Sequence, residues 1–131
     1  MIVPSIMLVD DEVSFVETMA KRLTKRKFDT ITAFSAEEGL EKLAANQELD
    51  VIVLDIKMPG MSGIAALKQI KKVSPLTEVI MLTGHATIES AIEGMKLGAY
   101  DFLKKPCDIE ELVDQLNGAA KKKRAHDEKI D

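Results

Sequence analysis

The chain has 131 residues, enough for one core and one domain, and 46% hydrophobic with 31% charged residues is the balance of a folded globular protein. Its net charge of −4 supplies no general field for nucleic acid or an anionic membrane, so a protein or small-ligand partner is expected. Cys107 stands alone, which excludes an internal disulfide, and His85 and His126 are too far apart to begin a zinc-type ligand set.

The opening "MIVPSIMLV" carries no basic leader and is too short to span a bilayer, and no later run reaches spanning length. A cytoplasmic protein with no membrane partner is therefore expected. "SIMLV" reads as a first strand, and Val13, Val16, Met19, Ala20 and Leu23 then share one face of a helix. "FDTITAF" alternates, as a strand near a sheet edge does. "DVIVLDI" and "EVIMLTG" lack polar alternation, which suits parallel strands covered on both faces.

Between those two runs, Pro59, Gly60 and Gly63 mark a turn before a helix containing Ile64, Leu67 and Ile70. Ile88, Ala91, Ile92 and Met95 predict a fourth buried helical stripe, "YDFLKKP" a fifth strand, and Ile109, Leu112, Val113 and Leu116 a last helix. The methionines fall mostly in these runs and read as core filler, as Cys107 reads as a packing residue. The rhythm is βα, five times. One α/β domain is expected over residues 1–120, followed by the charged stretch 121–131, "KKKRAHDEKID", as a frayed helix end or linker stump.

In open parallel sheets the functional crevice lies beyond the carboxyl ends of the strands, where strand order reverses. Those ends carry Asp10 and Asp11, then Asp55, then Thr83, then Lys105. Right-handed crossovers and an order of 2-1-3-4-5 put the first and third strands side by side and bring Asp55 to the acidic pair. Three carboxylates in one crevice make a hard-oxygen site that suits Mg2+ better than Zn2+, since no thiolate or imidazole joins them. Each residue also has a plainer reading: Asp10 or Asp11 capping the first helix, Asp55 in a turn, Thr83 in a turn or cap, Lys105 solvated. The loop after Asp55 is not a P-loop, because no Gly-Lys-Ser/Thr follows.

"LVDDE", "VLDIKMPGMSG", "MLTGHA" and "GAYDFLKKPCD" resemble, in that order, the receiver domain of two-component response regulators, from Ile6 to about Ala120. The resemblance implies a doubly wound, flavodoxin-like (βα)5 fold. It further implies that Asp55 accepts a phosphoryl group from a sensor histidine kinase. Asp10 and Asp11 would hold Mg2+ directly or through water, with Asp55 and the backbone carbonyl of Lys57. Thr83 and Lys105, the latter before the cis-prone Pro106, match the hydroxyl and lysine of such sites, and Phe102 matches the aromatic switch position, although ordinary core packing also suits it.

Gly84 departs from the family's commoner alanine and is expected to leave access to Asp55 open, while the resemblance implies that Lys57 and His85 occupy the two positions that, in the family, tune hydrolysis of the phosphoryl group. "SAIEGMKLGAYDFLKKP" resembles receivers of nitrogen-regulatory type, which precede an ATPase and a DNA-binding domain; neither is in this sequence, so DNA binding is not assigned to it. The implied output is the surface of the fourth helix, fifth strand and fifth helix, acting on an output domain or downstream protein, or forming a homodimer. The enzymatic alternative is a haloacid-dehalogenase-like phosphohydrolase. It places a second Asp two residues after its nucleophile, whereas Glu12 follows Asp10 and Lys57 follows Asp55 at that spacing. A signalling domain rather than a turnover enzyme is expected.

Overall fold

Each apolar run forms a strand and each amphipathic segment the helix that follows it. The elements are β1 (Ser5–Val9), α1 (Val13–Lys25), β2 (Asp29–Ala33), α2 (Ala36–Ala45), β3 (Val51–Leu54), α3 (Gly63–Val73), β4 (Glu78–Thr83), α4 (Ile88–Lys96), β5 (Asp101–Lys104) and α5 (Ile109–Ile130). The structure, a computed structural model, describes residues 3–46, 48–84 and 87–130, the last four as backbone. The strands pair in parallel in the order β2-β1-β3-β4-β5. This is the expected order, with the alternating strand β2 at one edge.

Because successive strand residues point to opposite faces, the central strands feed two cores. Met7, Val9, Ile52, Leu54, Val79 and Met81 pack with residues of α2 and α3. Ile6, Leu8, Val51, Val53, Ile80 and Leu82 pack on the other face, against α1 and α5. Each fully buried side chain of this size contributes about 1.5–3 kcal/mol, so β1, β3 and β4 form the rigid floor from which the loops project. Ser35, Ser62 and Thr87 cap α2, α3 and α4 by accepting from the amides of Glu38, Ala65 and Ser90. Among the described residues, no helix is long and apolar enough to cross a membrane.

Two expectations change. Val13 is 47% exposed, so the buried stripe of α1 begins at Val16. The predicted stripe of α4 is not buried: Ile88, Ile92 and Met95 are 80%, 50% and 45% exposed, and Gly94 is the helix's buried residue. The cause is close approach, since a Cβ at Gly94 would lie 2.2 Å from Met81 Cε. The helix therefore rests on the sheet through its smallest residue and turns its branched side chains to solvent. The charged stretch after residue 120, expected as a helix end or a linker stump, continues α5 as far as Ile130, and Lys123 within it is buried.

Candidate functional site

Beyond the carboxyl ends of the strands the sheet ladder continues by one residue. The amide of Asp10 donates to the Ala33 carbonyl (3.1 Å), that of Asp55 to Val9 (3.0 Å) and that of Lys105 to Thr83 (3.0 Å). The ladder thus fixes the backbones of Asp10, Asp55 and Lys105 as firmly as strand residues. Asp10 and Asp55 are 4% and 3% exposed, Asp11 is exposed, and each of the three offers a carboxylate oxygen within 4.8 Å of the others.

The first helix does not use the pair as caps. Its N-cap is Glu12, with no side-chain capping bond, and Asp10 Oδ1 instead accepts from the Glu12 amide at 3.0 Å. After Asp55 the chain turns through Gly60, at φ 79°, and Gly63 donates its amide to the Ile56 carbonyl at 2.7 Å. That turn lays Lys57, Met58 and Pro59 along a cleft of about 480 Å3 shared with Asp11, Glu12 and Asp55.

Lys105 reaches into the acidic cluster from the end of β5. Its Nζ donates to Asp10 Oδ2 at 2.5 Å and to Glu12 Oε1 at 3.0 Å, and lies 4.2 Å from the centre of the Phe15 ring. Burial alone would lower its pKa, but the hydrogen bonds to Asp10 and Glu12, with the charges of Asp10 and Asp55, outweigh burial and hold it above the ordinary lysine value. Lys105 is therefore held as the cation of the ion pairs with Asp10 and Glu12. For Asp10 burial dominates and, with the charge of Asp55, raises the carboxyl above its ordinary value despite the Lys105 and Glu12 hydrogen bonds.

One ammonium does not satisfy this cluster. Asp55 Oδ1 is buried and has no hydrogen-bond partner among the described residues. An anionic oxygen taken out of water without a donor costs free energy. Asp10, Asp11 and Asp55 could hold a small hard dication, which would suit this oxygen set and offset that cost.

The other expected residues lie nearby. Thr83 is fully buried at the end of β4, pairs in register with Lys104, and precedes Lys105 by one strand. Phe102 pairs in register with Met81 and packs, half-buried, against the core on the α2 and α3 face. The Lys105–Pro106 bond is cis. A Cβ at Gly84 would sit 3.7 Å from that of Lys105, an ordinary contact. His85 lies outside the described residues. The sequence reading missed Glu12 and Phe15 as partners of Lys105; their i, i+3 spacing at the start of α1, which puts them on one side of a helix, was the available signal.

A model of the response regulator receiver domain matches residues 6–117. The chain belongs to the response regulator receiver domain family. This receiver is 40% identical over 106 residues to the DNA-binding transcriptional regulator NtrC of Klebsiella pneumoniae, a match covering 81% of this chain and 22% of that protein. It thus spans about a fifth of that relative's length, and the similarity agrees with the resemblance to nitrogen-regulatory receivers. A response regulator receiver domain protein from Clostridium thermocellum superposes with a TM-score of 0.90 at 35% identity, over 94% of this chain and 98% of that one. A response regulator from Burkholderia pseudomallei, solved with a phosphorylated aspartic acid, a calcium ion and citrate, superposes with a TM-score of 0.81 at 27% identity, over 95% of this chain and 72% of that one. Like other receivers, this chain is a phosphoacceptor signalling domain.

Proposed function

We propose that Asp55 is the phosphoacceptor, that a sensor histidine kinase supplies the phosphoryl group, and that Asp10, Asp11, Asp55 and the Lys57 backbone carbonyl hold Mg2+ for the transfer. The observation that carries this reading is the grouping of a buried, unpartnered Asp55 oxygen with two further carboxylates and a lysine bonded to one of them, beside an open cleft that Asp11 and Asp55 line. An ionised carboxylate needs no base, so once the donor enters the cleft Asp55 can attack phosphorus in line, forming the aspartyl O–P bond as the P–N bond to the kinase's phosphohistidine breaks and the histidine leaves. Mg2+, when bound, supplies charge neutralisation on the phosphoryl oxygens. Lys105 supplies a second positive group on the β5 side, and Thr83 can donate a hydrogen bond to the product. Intact-mass measurement after incubation with acetyl phosphate and Mg2+ tests the reading. One phosphoryl group per chain is expected, whereas no adduct, or sustained release of phosphate from general esters as a phosphohydrolase would give, overturns it.

The metal assignment makes a separate prediction. Asp11 is exposed and makes no bond to Lys105, so Asp11→Ala should leave the fold intact while lowering Mg2+ affinity roughly 10–100-fold. Titration followed by NMR or calorimetry reads this directly. Wild-type affinity would remove Asp11 from the ligand set.

We further propose that Thr83, Phe102 and α4 carry the signal to an output domain or downstream protein, in a cytoplasmic regulator of transcription. The uncovered apolar stripe Ile88, Ile92 and Met95 supports a protein partner on this face, including a second copy of the chain. A phosphoryl group shifts a conformational equilibrium only by its differential interaction with the two states, and in this reading the Thr83 hydroxyl supplies that difference. Thr83→Ala should therefore still accept phosphate, yet show smaller NMR shifts than wild type between Ile88 and Phe102 on adding beryllofluoride and Mg2+. Equally large shifts in both proteins would exclude the hydroxyl as the coupling element.

A further inference from the structure

β3 carries a carboxylate at each end, and only one of the two belongs to the cleft. At the opposite pole, Asp50 precedes the strand and is 1% exposed. Its Oδ2 accepts from the Ser5 amide at 2.8 Å and from Arg124 Nη2 at 2.8 Å, and Lys123 Nζ stands 3.7 Å from its Oδ1. Arg124 Nη2 also donates to the Val3 carbonyl at 3.1 Å, tying α5 to the chain just before β1.

One strand further along, Glu78 opens β4, is also buried, and stands between two lysines. Lys71 Nζ is 3.6 Å from Oε1 and Lys122 Nζ 3.5 Å from Oε2. These carboxylates are placed by the sheet itself, because Asp50 donates its amide to the Ser5 carbonyl and accepts at its own carbonyl from Glu78. The approach of α5 is set by Gly118, where a Cβ would lie 2.6 Å from Tyr100 Oη.

Three consecutive cations of α5, Lys122, Lys123 and Arg124, therefore meet two carboxylates held at the starts of two neighbouring strands. A solvated charge run would not bury Lys123 or converge on side chains that the sheet fixes. We propose that Asp50 and Glu78 form a clamp that fastens the Lys122–Arg124 turn to the amino-terminal pole of the sheet. The clamp makes residues 121–126 a structural part of the receiver and fixes the direction in which the helix runs on to Ile130. It sits at the pole opposite the Asp55 cleft, so it acts as a mount that stays closed whatever the state of that cleft. A buried ion pair is a weak net stabiliser, but losing one partner leaves the other charge desolvated and unpaired. The clamp thus selects one docking of α5 over its neighbours.

Hydrogen exchange on the full chain, read by mass spectrometry, tests this. In Asp50→Asn the amides of residues 118–126 should exchange at least about tenfold faster than in wild type, with β1, β3 and β4 still protected. Arg124→Gln changes a half-exposed partner from the helix side and should give the same local loosening, so the test stands even if Asp50→Asn fails to fold. In the wild type, beryllofluoride with Mg2+ should leave exchange in residues 118–126 unchanged. Unaltered exchange in Arg124→Gln, or loosening of the wild-type segment on adding beryllofluoride, overturns the clamp. Acetyl phosphate labelling of Arg124→Gln should match wild type, so failure of the clamp is distinguishable from failure of the phosphoacceptor assignment.

Discussion

Asp55→Asn should take up no phosphoryl group from acetyl phosphate and Mg2+, a complete loss rather than a slowing. The amide is a poor nucleophile and a neutral ligand, so the attacking oxygen and one charge at the metal site disappear together. The neighbours offer no substitute, because Asp10 is held by Lys105 and by the Glu12 amide and Asp11 is exposed at the rim. The loss should not arise from unfolding. Asp55 Oδ1 has no donor among the described residues, so removing its charge relieves repulsion from Asp10 and Asp11. The variant should melt no lower than wild type in the absence of Mg2+. A labelled Asp55→Asn protein, with the group mapped to Asp10 or Asp11, would reject the assignment.

The second large effect concerns the turn that aims Asp55. A Cβ at Gly63 would lie 2.1 Å from the Asp55 carbonyl oxygen and 2.6 Å from Ile56 Cα, and both are backbone atoms that cannot rotate away. The same close approach permits the 2.7 Å hydrogen bond from the Gly63 amide to the Ile56 carbonyl, which folds the loop back onto the end of β3. Gly63→Ala must break that bond or displace the start of α3 from the core beneath it. A loss of about 3 kcal/mol or more is expected in urea denaturation. A loss under about 1 kcal/mol would mean that the loop relaxes freely and that the bond does not hold Asp55 in place.

Most of the fold was legible because its signals are local. Unbroken apolar runs such as "VIVL" tolerate little but a strand covered on both faces, and once the order 2-1-3-4-5 holds, Asp10, Asp55 and Lys105 come together. What failed was azimuth. The period of α4 reveals a stripe but not which side meets the sheet, and Gly94, the residue that decides it, has no hydrophobicity to read. The "KKKR" run could be read as a helix end but not for its contacts: its partners Asp50 and Glu78 are distant in sequence, and charge runs usually face water. Lys105 was legible as a lysine near the acidic cluster, but its pairing with Glu12 and its stacking over Phe15 depend on how α1 leaves β1.

The way α4 rests on Gly94 has an energetic consequence. Ile88 forgoes most of the about 1.5–3 kcal/mol that burying such a side chain contributes. The helix's attachment is correspondingly shallow, compared with α1 or α5, whose stripes are buried on the opposite face. A single hydrogen bond to a charged group contributes about 1.5–3 kcal/mol, the same size as what holds one α4 side chain in or out. One new bond at the end of β4 would thus be as large as the burial that any one α4 side chain forgoes, and small beside what holds the buried strands beneath it.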